Sequence, residues 1–166
     1  MVEMMNKKGS IQDLIYAMVI IFAFAVMILI GFTISSKLNT EFQASDDITA
    51  EGKASFNQIN DLYPGVMDNS FLFLTVGLCI ATLILAALVR IHPIFLVFFI
   101  LAWAVLIFLS AICSNIYQTM AANPQLVAQA AQLTFVTHIM NWLPFIIGIF
   151  GGILAIVMYK LYALAQ

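Results

Sequence analysis

Charge is the feature that this sequence has least of. Only 8% of its 166 residues are charged, whereas 64% are hydrophobic. A soluble domain carries about 25% charged and about 45–50% apolar residues. A water-soluble fold of this length would have to expose apolar surface that it could not bury. The composition therefore predicts an integral membrane protein, and its basic residues are too few for a nucleic-acid-binding surface.

Cysteine and histidine are also scarce, with two of each. In the predicted spans, Cys79 and Cys113 differ in depth by about 12 Å of helical rise, whereas a disulfide requires Cα atoms within about 7 Å. Both are predicted to be packing residues. His92 and His138 are expected on opposite sides of the membrane, as a turn residue and an interfacial residue. We therefore expect no metal site and no cofactor.

The sequence also lacks motifs that carry chemistry. It contains no H-E-x-x-H, no G-x-S-x-G and no phosphate-binding glycine loop. Its long apolar runs contain no Asp, Glu, Lys or Arg, the residue types that form ion paths in transporters. Asp13, at the edge of the first run, is better explained as a helix cap. We therefore expect no enzyme, no ion-coupled transporter and no small-molecule substrate.

What the sequence does contain is four apolar stretches, which predict an all-α polytopic membrane protein with four transmembrane helices. The first run, Leu14 to Ile34, rises about 31 Å as a helix and matches a hydrocarbon core of about 30 Å. Ser10 and Asp13 have the spacing of a capping box before it. A cleaved signal is the alternative, but the run exceeds a signal h-region and no A-x-A-like site follows. A retained anchor helix over residues 1–34 is favoured.

The second and third spans are predicted to form a transmembrane hairpin over residues 71–113. The second runs from Phe71 to Val89 and the third from Ile94 to Cys113. Between them lies the short turn Arg90-Ile91-His92-Pro93, and so short a connection favours antiparallel neighbours. The fourth span, Trp142 to Tyr159, lies in the C-terminal segment 142–166, with aromatic residues at both ends as in membrane belts.

Two polar segments separate these spans. Residues 35–70 hold most of the acids and are predicted to form a short helical segment outside the membrane, in which Phe56, Ile59 and Tyr63 share a face. Tyr63-Pro64-Gly65 is expected to end that helix, and a solvated linker over residues 40–55 is an equal alternative.

The second polar segment, residues 114–141, has no formal charge. Asn123 and Pro124 favour a helix start there. The helix that follows is predicted to be amphipathic, non-spanning and packed against the bundle. Its polar face consists of Gln125, Gln129 and Gln132, and its apolar face of Leu126, Ala130 and Leu133.

Positive charges predict the orientation. With both termini cytoplasmic, only Lys37 and Lys53 fall on the outer side, together with residues 35–70, and the reverse orientation would invert this bias. The cytoplasmic set is then Lys7, Lys8, Arg90 and Lys160.

Small residues line one face of the fourth span, where Gly148 and Gly152 have the G-x-x-x-G spacing and Gly151 pairs with Ala155. Such residues let helix backbones approach closely in lipid. This face is predicted either to pack against another span of the same chain or to form a contact between subunits. A second, weaker small face on the second span consists of Gly77 and Ala81.

The N-terminal residues Lys7-Lys8-Gly9-Ser10-Ile11-Gln12-Asp13, leading into an apolar run, resemble a type IV prepilin or archaeal class III signal. That resemblance implies cleavage after the glycine and an acid at the fifth mature position. Here the acid, Asp13, is fourth, and three further spans have no place in a pilin, so we predict no cleavage. The whole chain also looks like the small multi-span membrane proteins of archaea and of membrane-containing viruses.

Two functions from different classes follow as hypotheses. The first is a non-enzymatic structural subunit that associates with lipid, with itself or with other subunits of a virion membrane or of a secretion or pilus-type machine. The second is a holin-like pore former, in which Gln125, Gln129 and Gln132 would supply the polar lining.

Overall fold

The computed structural model describes residues 11–88 and 93–163, and these ranges form six helices. The predicted all-α class is confirmed for them. Several sequence features lie outside the described residues: Lys7, Lys8, Ser10, Arg90 and His92, and with them the capping box, the signal-like segment and the predicted turn. The helices are α1 (Ile11–Ala44), α2 (Ala50–Leu88), α3 (Pro93–Ala121), α4 (Val127–Ala130), α5 (Thr134–Asn141) and α6 (Leu143–Ala163).

Three of these helices, α1, α2 and α3, are long and apolar enough to cross a membrane. A fourth span exists if α5 and α6 count as one, although they meet at an angle of 67°. Pro144 accounts for the bend, because its ring would clash with the carbonyl of Met140 in a continuous helix. The chain therefore has three to four candidate spans and the properties of an integral membrane protein.

One face of α1 forms the centre of the core. Its buried apolar side chains recur every three or four residues, the spacing of a single helical face. This periodicity lets α1 contact α2, α3, α4 and α5 along its length. The buried residues of this face are Leu14, Ala17, Met18, Ile21, Ala25, Ile28, Leu29 and Phe32.

The four long helices form a ring in the order α1, α2, α6, α3. In the described residues α1 packs on α2 and α3, and α6 packs on the same two helices, most closely on α3. Within the described residues α2 and α3 are not among the closely packed helix pairs. The turn that would join the predicted transmembrane hairpin over residues 71–113 lies outside those residues. A short connection restricts where the next helix starts. Side-chain fit decides which helix it packs against.

The polar segment 35–70 is not a separate helical unit. Residues 35–44 continue α1, residues 50–70 continue α2, and only Ser45–Thr49 form a turn. The predicted break at Tyr63-Pro64-Gly65 is wrong, because α2 runs through Pro64. An interior proline removes one backbone hydrogen bond and costs about 3 kcal/mol, so contacts with α1 must offset that cost.

Those contacts lie along and next to the two helical extensions, residues 35–44 of α1 and residues 50–70 of α2. The Phe32 and Tyr63 rings stack with centroids 5.2 Å apart, and the Phe42 and Phe56 centroids are 4.3 Å apart. Beyond them, the Gln43 side-chain amide donates to the Lys53 carbonyl at 2.7 Å. The Asn39 amide likewise donates to Asn57 at 3.1 Å. The two extensions therefore form one antiparallel pair that continues the packing of the spans.

The segment 114–141 also differs from the single amphipathic helix that was predicted. The third helix, α3, extends to Ala121, and the rest divides into α4 and α5. The predicted helix start at Asn123 and Pro124 is wrong, because α4 begins at Val127 with Leu126 at its N-cap. The Asn123 side-chain oxygen instead accepts the Gln125 N–H within the turn, at 2.9 Å. Leu126 packs against the core and Ala130 and Leu133 are buried, so this apolar side faces the protein. We call α4 and α5 together the cap.

Candidate functional site

The start of α5 has backbone donors that its own sequence cannot satisfy. The first N–H groups of any helix lack partners within that helix, and the residue at the N-cap of α5, Leu133, makes no side-chain capping bond. The carboxylate of Asp68, on α2, supplies the missing acceptors. Its two oxygens accept the N–H groups of Phe135 and Val136, each at 2.8 Å. Asp68 therefore caps a helix 67 residues further along the chain.

Asp68 is buried, with 7% of its surface exposed. The stacked pairs Phe24–Phe71 and Phe32–Tyr63 show which residues of α1 lie beside which residues of α2, and therefore where Asp68 lies along α1. Asp68 lies three residues before Phe71 on α2. Because α1 runs antiparallel to α2, the neighbouring position on α1 is about residue 27, inside the apolar run of that helix. The sequence grouped Asp68 with the polar segment 35–70, and within the bundle its carboxylate is buried against the start of α5. An acid at such a level is costly unless it is fully bonded, which the two charge-assisted hydrogen bonds achieve.

This role could not be predicted from the sequence, because neither Asp68 nor the start of α5 indicates the contact by itself. An acid next to an apolar run looks like a solvated boundary residue. One signal was available: α5 has Leu133 where a Ser, Thr, Asp or Asn is expected at a helix start. A helix without its own cap requires an acceptor from elsewhere, although its position along the chain cannot be read from the sequence.

Further hydrogen bonds attach the rest of α5 to α3. The Thr137 hydroxyl donates to the Ala130 carbonyl at 3.0 Å, which leaves its oxygen to accept from the buried Tyr117 hydroxyl at 3.2 Å. At the other end of α5, the Ser114 hydroxyl donates to the Asn141 carbonyl at 3.4 Å. The helix thus lies among all four ring helices and is bonded to two of them.

The glutamine stripe lies on the outward side of the cap. Gln125 and Gln132 are exposed, and Gln129 is half-buried with its amide donating to the Ser36 hydroxyl of α1 at 3.3 Å. These side chains therefore attach and solvate the cap, and they do not line the interior of the ring. His138 is exposed beside Trp142, with ring centroids 6.3 Å apart.

The predicted small face of α6 packs within the chain. The indole of Trp103, on α3, lies directly on Gly151 and Gly152, and Gly148 faces Ile107. The indole N–H donates to the Ile147 carbonyl at 3.2 Å. A side chain at position 151 would block that approach, so the glycine permits both the packing and the hydrogen bond. Ala155, on the same face, packs against the core.

The weaker small face on α2 points away from the bundle. Gly77 and Ala81 are exposed, and no atom lies within 4 Å of where a side chain at Gly77 would begin. The two cysteines are free thiols.

A cavity of about 10 Å³ lies inside the ring, between α1, α2, α5 and α6. Thr75, Cys79 and Thr82 of α2 line it on one side, and apolar side chains line the rest. Its volume is far below the roughly 300–1,000 Å³ of a small-molecule site. Among the described residues, no group of three or more His, Cys, Asp or Glu side chains could hold a metal ion. The hydrogen bonds of Asp68 hold α2 and α5 together.

Comparisons with known protein families, curated proteins and solved structures find no match for this chain.

Replacing Asp68 should release the start of α5. In Asp68→Ala both acceptors are lost, and in Asp68→Asn one of the two oxygens becomes a donor that faces an N–H group. We expect the free energy of unfolding in detergent to fall by about 1–3 kcal/mol for either change. Hydrogen exchange at the Phe135 and Val136 amides should accelerate. Asp61→Asn, at an exposed position of the same helix, is the control. Unchanged protection at both amides would contradict the capping role.

A side chain at position 151 should separate α3 from α6. Gly151→Ala places a methyl group against the Trp103 indole, and overpacking of this kind costs about 1–3 kcal/mol. Gly65→Ala is the matched control, because nothing lies within 4 Å of that position. There a helical alanine should stabilise by about 0.5–1 kcal/mol. Thermal unfolding in detergent should therefore shift in opposite directions, and equal shifts would refute this contact.

Proposed function

We propose that this chain is a non-enzymatic structural subunit of a membrane-embedded assembly. The observation that carries the proposal is the paired extension of α1 and α2 beyond their apolar parts. It is helical on both sides of the turn at Ser45–Thr49 and is joined by aromatic and amide contacts. A paired helical extension offers a defined contact surface outside the membrane, whereas a flexible linker does not.

The interior of the ring supports the same proposal. The cavity between α1, α2, α5 and α6 is small, and the buried Asp68 is fully engaged with the backbone of α5. The polar glutamines that a pore former would require lie on the cap surface. A virion membrane or a secretion or pilus-type machine is a suitable setting, because such assemblies are built from subunits that contribute packing surfaces.

The assembly proposal is tested by the mass of the particle in mild detergent. Full-length protein should run as an oligomer, or with other membrane subunits, when light scattering is corrected for bound detergent. A strict monomer that co-purifies with nothing would reject the proposal. Collapse of the membrane potential on induced expression would instead favour the holin-like alternative, and a structural subunit should leave the potential unchanged.

We also propose that both termini are cytoplasmic and that residues 35–70 lie on the outer side. The distribution of lysine and arginine supports this orientation. In a variant without native cysteines, Cys79→Ala with Cys113→Ala, a membrane-impermeant maleimide should label Asp47→Cys in intact cells. It should label Met4→Cys only after permeabilisation. The reverse pattern would overturn the orientation and leave the fold unaffected.

A further inference from the structure

The buried polar side chains of the ring are concentrated on two helices. Of the six polar or charged residues that are buried in the described ranges, five belong to α2 or α3. On α2 they are Asp68, Thr75 and Thr82, which share one face because they are spaced seven residues apart. On α3 they are Ser110 and Ser114, one helical turn apart. Each of the two helices therefore carries a polar strip on its buried face.

Helix α5 lies between these two polar strips. Its first turn donates to Asp68 of α2, and its last residue, Asn141, accepts a hydrogen bond from Ser114 of α3. Ile139 of α5 lines the small cavity that Thr75 also lines. Moving α5 out of the ring would therefore uncover hydroxyl and carboxylate groups to which water can bond.

One of these hydroxyl groups lacks a partner while α5 is in place. Thr75 is buried, with 6% of its surface exposed, and its hydroxyl oxygen bonds to no group in the described part of the chain. Thr82 and Ser110 differ, because their hydroxyls donate to carbonyls of their own helices at 2.6 Å and 2.7 Å. A buried polar group without a partner costs free energy. The position of α5 in the ring carries this cost, and access of water to Thr75 would remove it.

The connections of α5 allow it to move separately from the long helices. It has only eight residues, is separated from α4 by the non-helical residues 131–133, and meets α6 at a bend of 67°. So short a helix depends on tertiary contacts for its stability. Those contacts are three buried apolar side chains and the hydrogen bonds to Asp68, Tyr117 and Ser114. Loss of these contacts would free α5 and leave the packing between the long helices in place.

We propose that α5 is a movable plug, which swings about its bend with α6 when it releases Asp68 and opens the polar strips of α2 and α3 to water. The Asp68 carboxylate is the latch, because it accepts both N–H groups that hold the start of α5. This inference goes beyond the assembly function, and neither proposal depends on the other. It gives the buried polar strips a role in an open state of the ring.

Thiol accessibility in membranes tests the plug. In the Cys79→Ala, Cys113→Ala background, Thr75→Cys reports on the face of α2 beside α5. Ala86→Cys is the matched control, fully buried on the same face and about 16 Å further along the helix. A charged thiol reagent, supplied to both sides of the membrane, reacts only with a thiolate that water reaches.

Thr75→Cys should react at least about tenfold faster than Ala86→Cys, because α5 opens more often than the whole bundle unfolds. Equal rates at the two positions would overturn the proposal, since Thr75 would then be reached only by unfolding of the bundle.

Two destabilising variants separate the latch from general loosening of the bundle. Asp68→Asn should accelerate the reaction of Thr75→Cys at least about tenfold, because the contact is lost when α5 opens. Gly151→Ala disturbs the packing of α3 on α6, which persists when α5 moves, so it should change that rate by less than about twofold. Asp61→Asn, at an exposed position of α2, should have no effect. Similar acceleration by Asp68→Asn and Gly151→Ala would contradict the latch.

Discussion

The carboxylate of Asp68 is the contact on which the arrangement of this protein depends. It joins α2 to the first turn of α5 through two hydrogen bonds of 2.8 Å. An isolated buried carboxylate would be expensive, and so would two unpaired N–H groups at a buried helix start. Each therefore needs the other. With α5 held in this way, the cap closes one end of the ring, and Tyr117 and Ser114 of α3 complete its attachment.

The continuity of α2 links this interior contact to the exterior of the molecule. If the helix ended near Pro64, Asp68 would begin a new element with no defined orientation relative to the α1 extension. Because it does not end, Asp68 points into the ring while Ile59, Leu62 and Val66 point outward on the same rigid helix. The aromatic contacts of Tyr63 and Phe56 with α1 support the continuous helix through the proline. One long helix thus presents a buried acid to the cap and an apolar stripe to its surroundings.

Several elements could be predicted because they depend only on residues that are neighbours in the sequence. Three long apolar helices appear where the hydrophobic runs are. Asn123 accepts a hydrogen bond within its turn, although α4 starts only at Val127. Gly151 and Gly152 form a close helix contact, as small residues in an apolar helix do. The break expected at Pro64 was wrong, since a single lost hydrogen bond is outweighed by packing with α1. The predicted pairing of α2 with α3 is not among the close contacts of the described residues, since chain connection does not determine which surfaces fit.

The sequence by itself determined the helical class, the approximate positions of the apolar helices and the presence of a small-residue face on α6. These properties follow from hydropathy and from 3.6-residue periodicity, which act over neighbouring residues. The tertiary structure alone decided the ring order α1, α2, α6, α3, the partner of the glycine face and the inward position of Asp68. Each of these depends on groups distant in sequence, such as Trp103 with Gly151 and Asp68 with Phe135. Their contacts are selected by shape and by hydrogen-bond satisfaction in the folded chain.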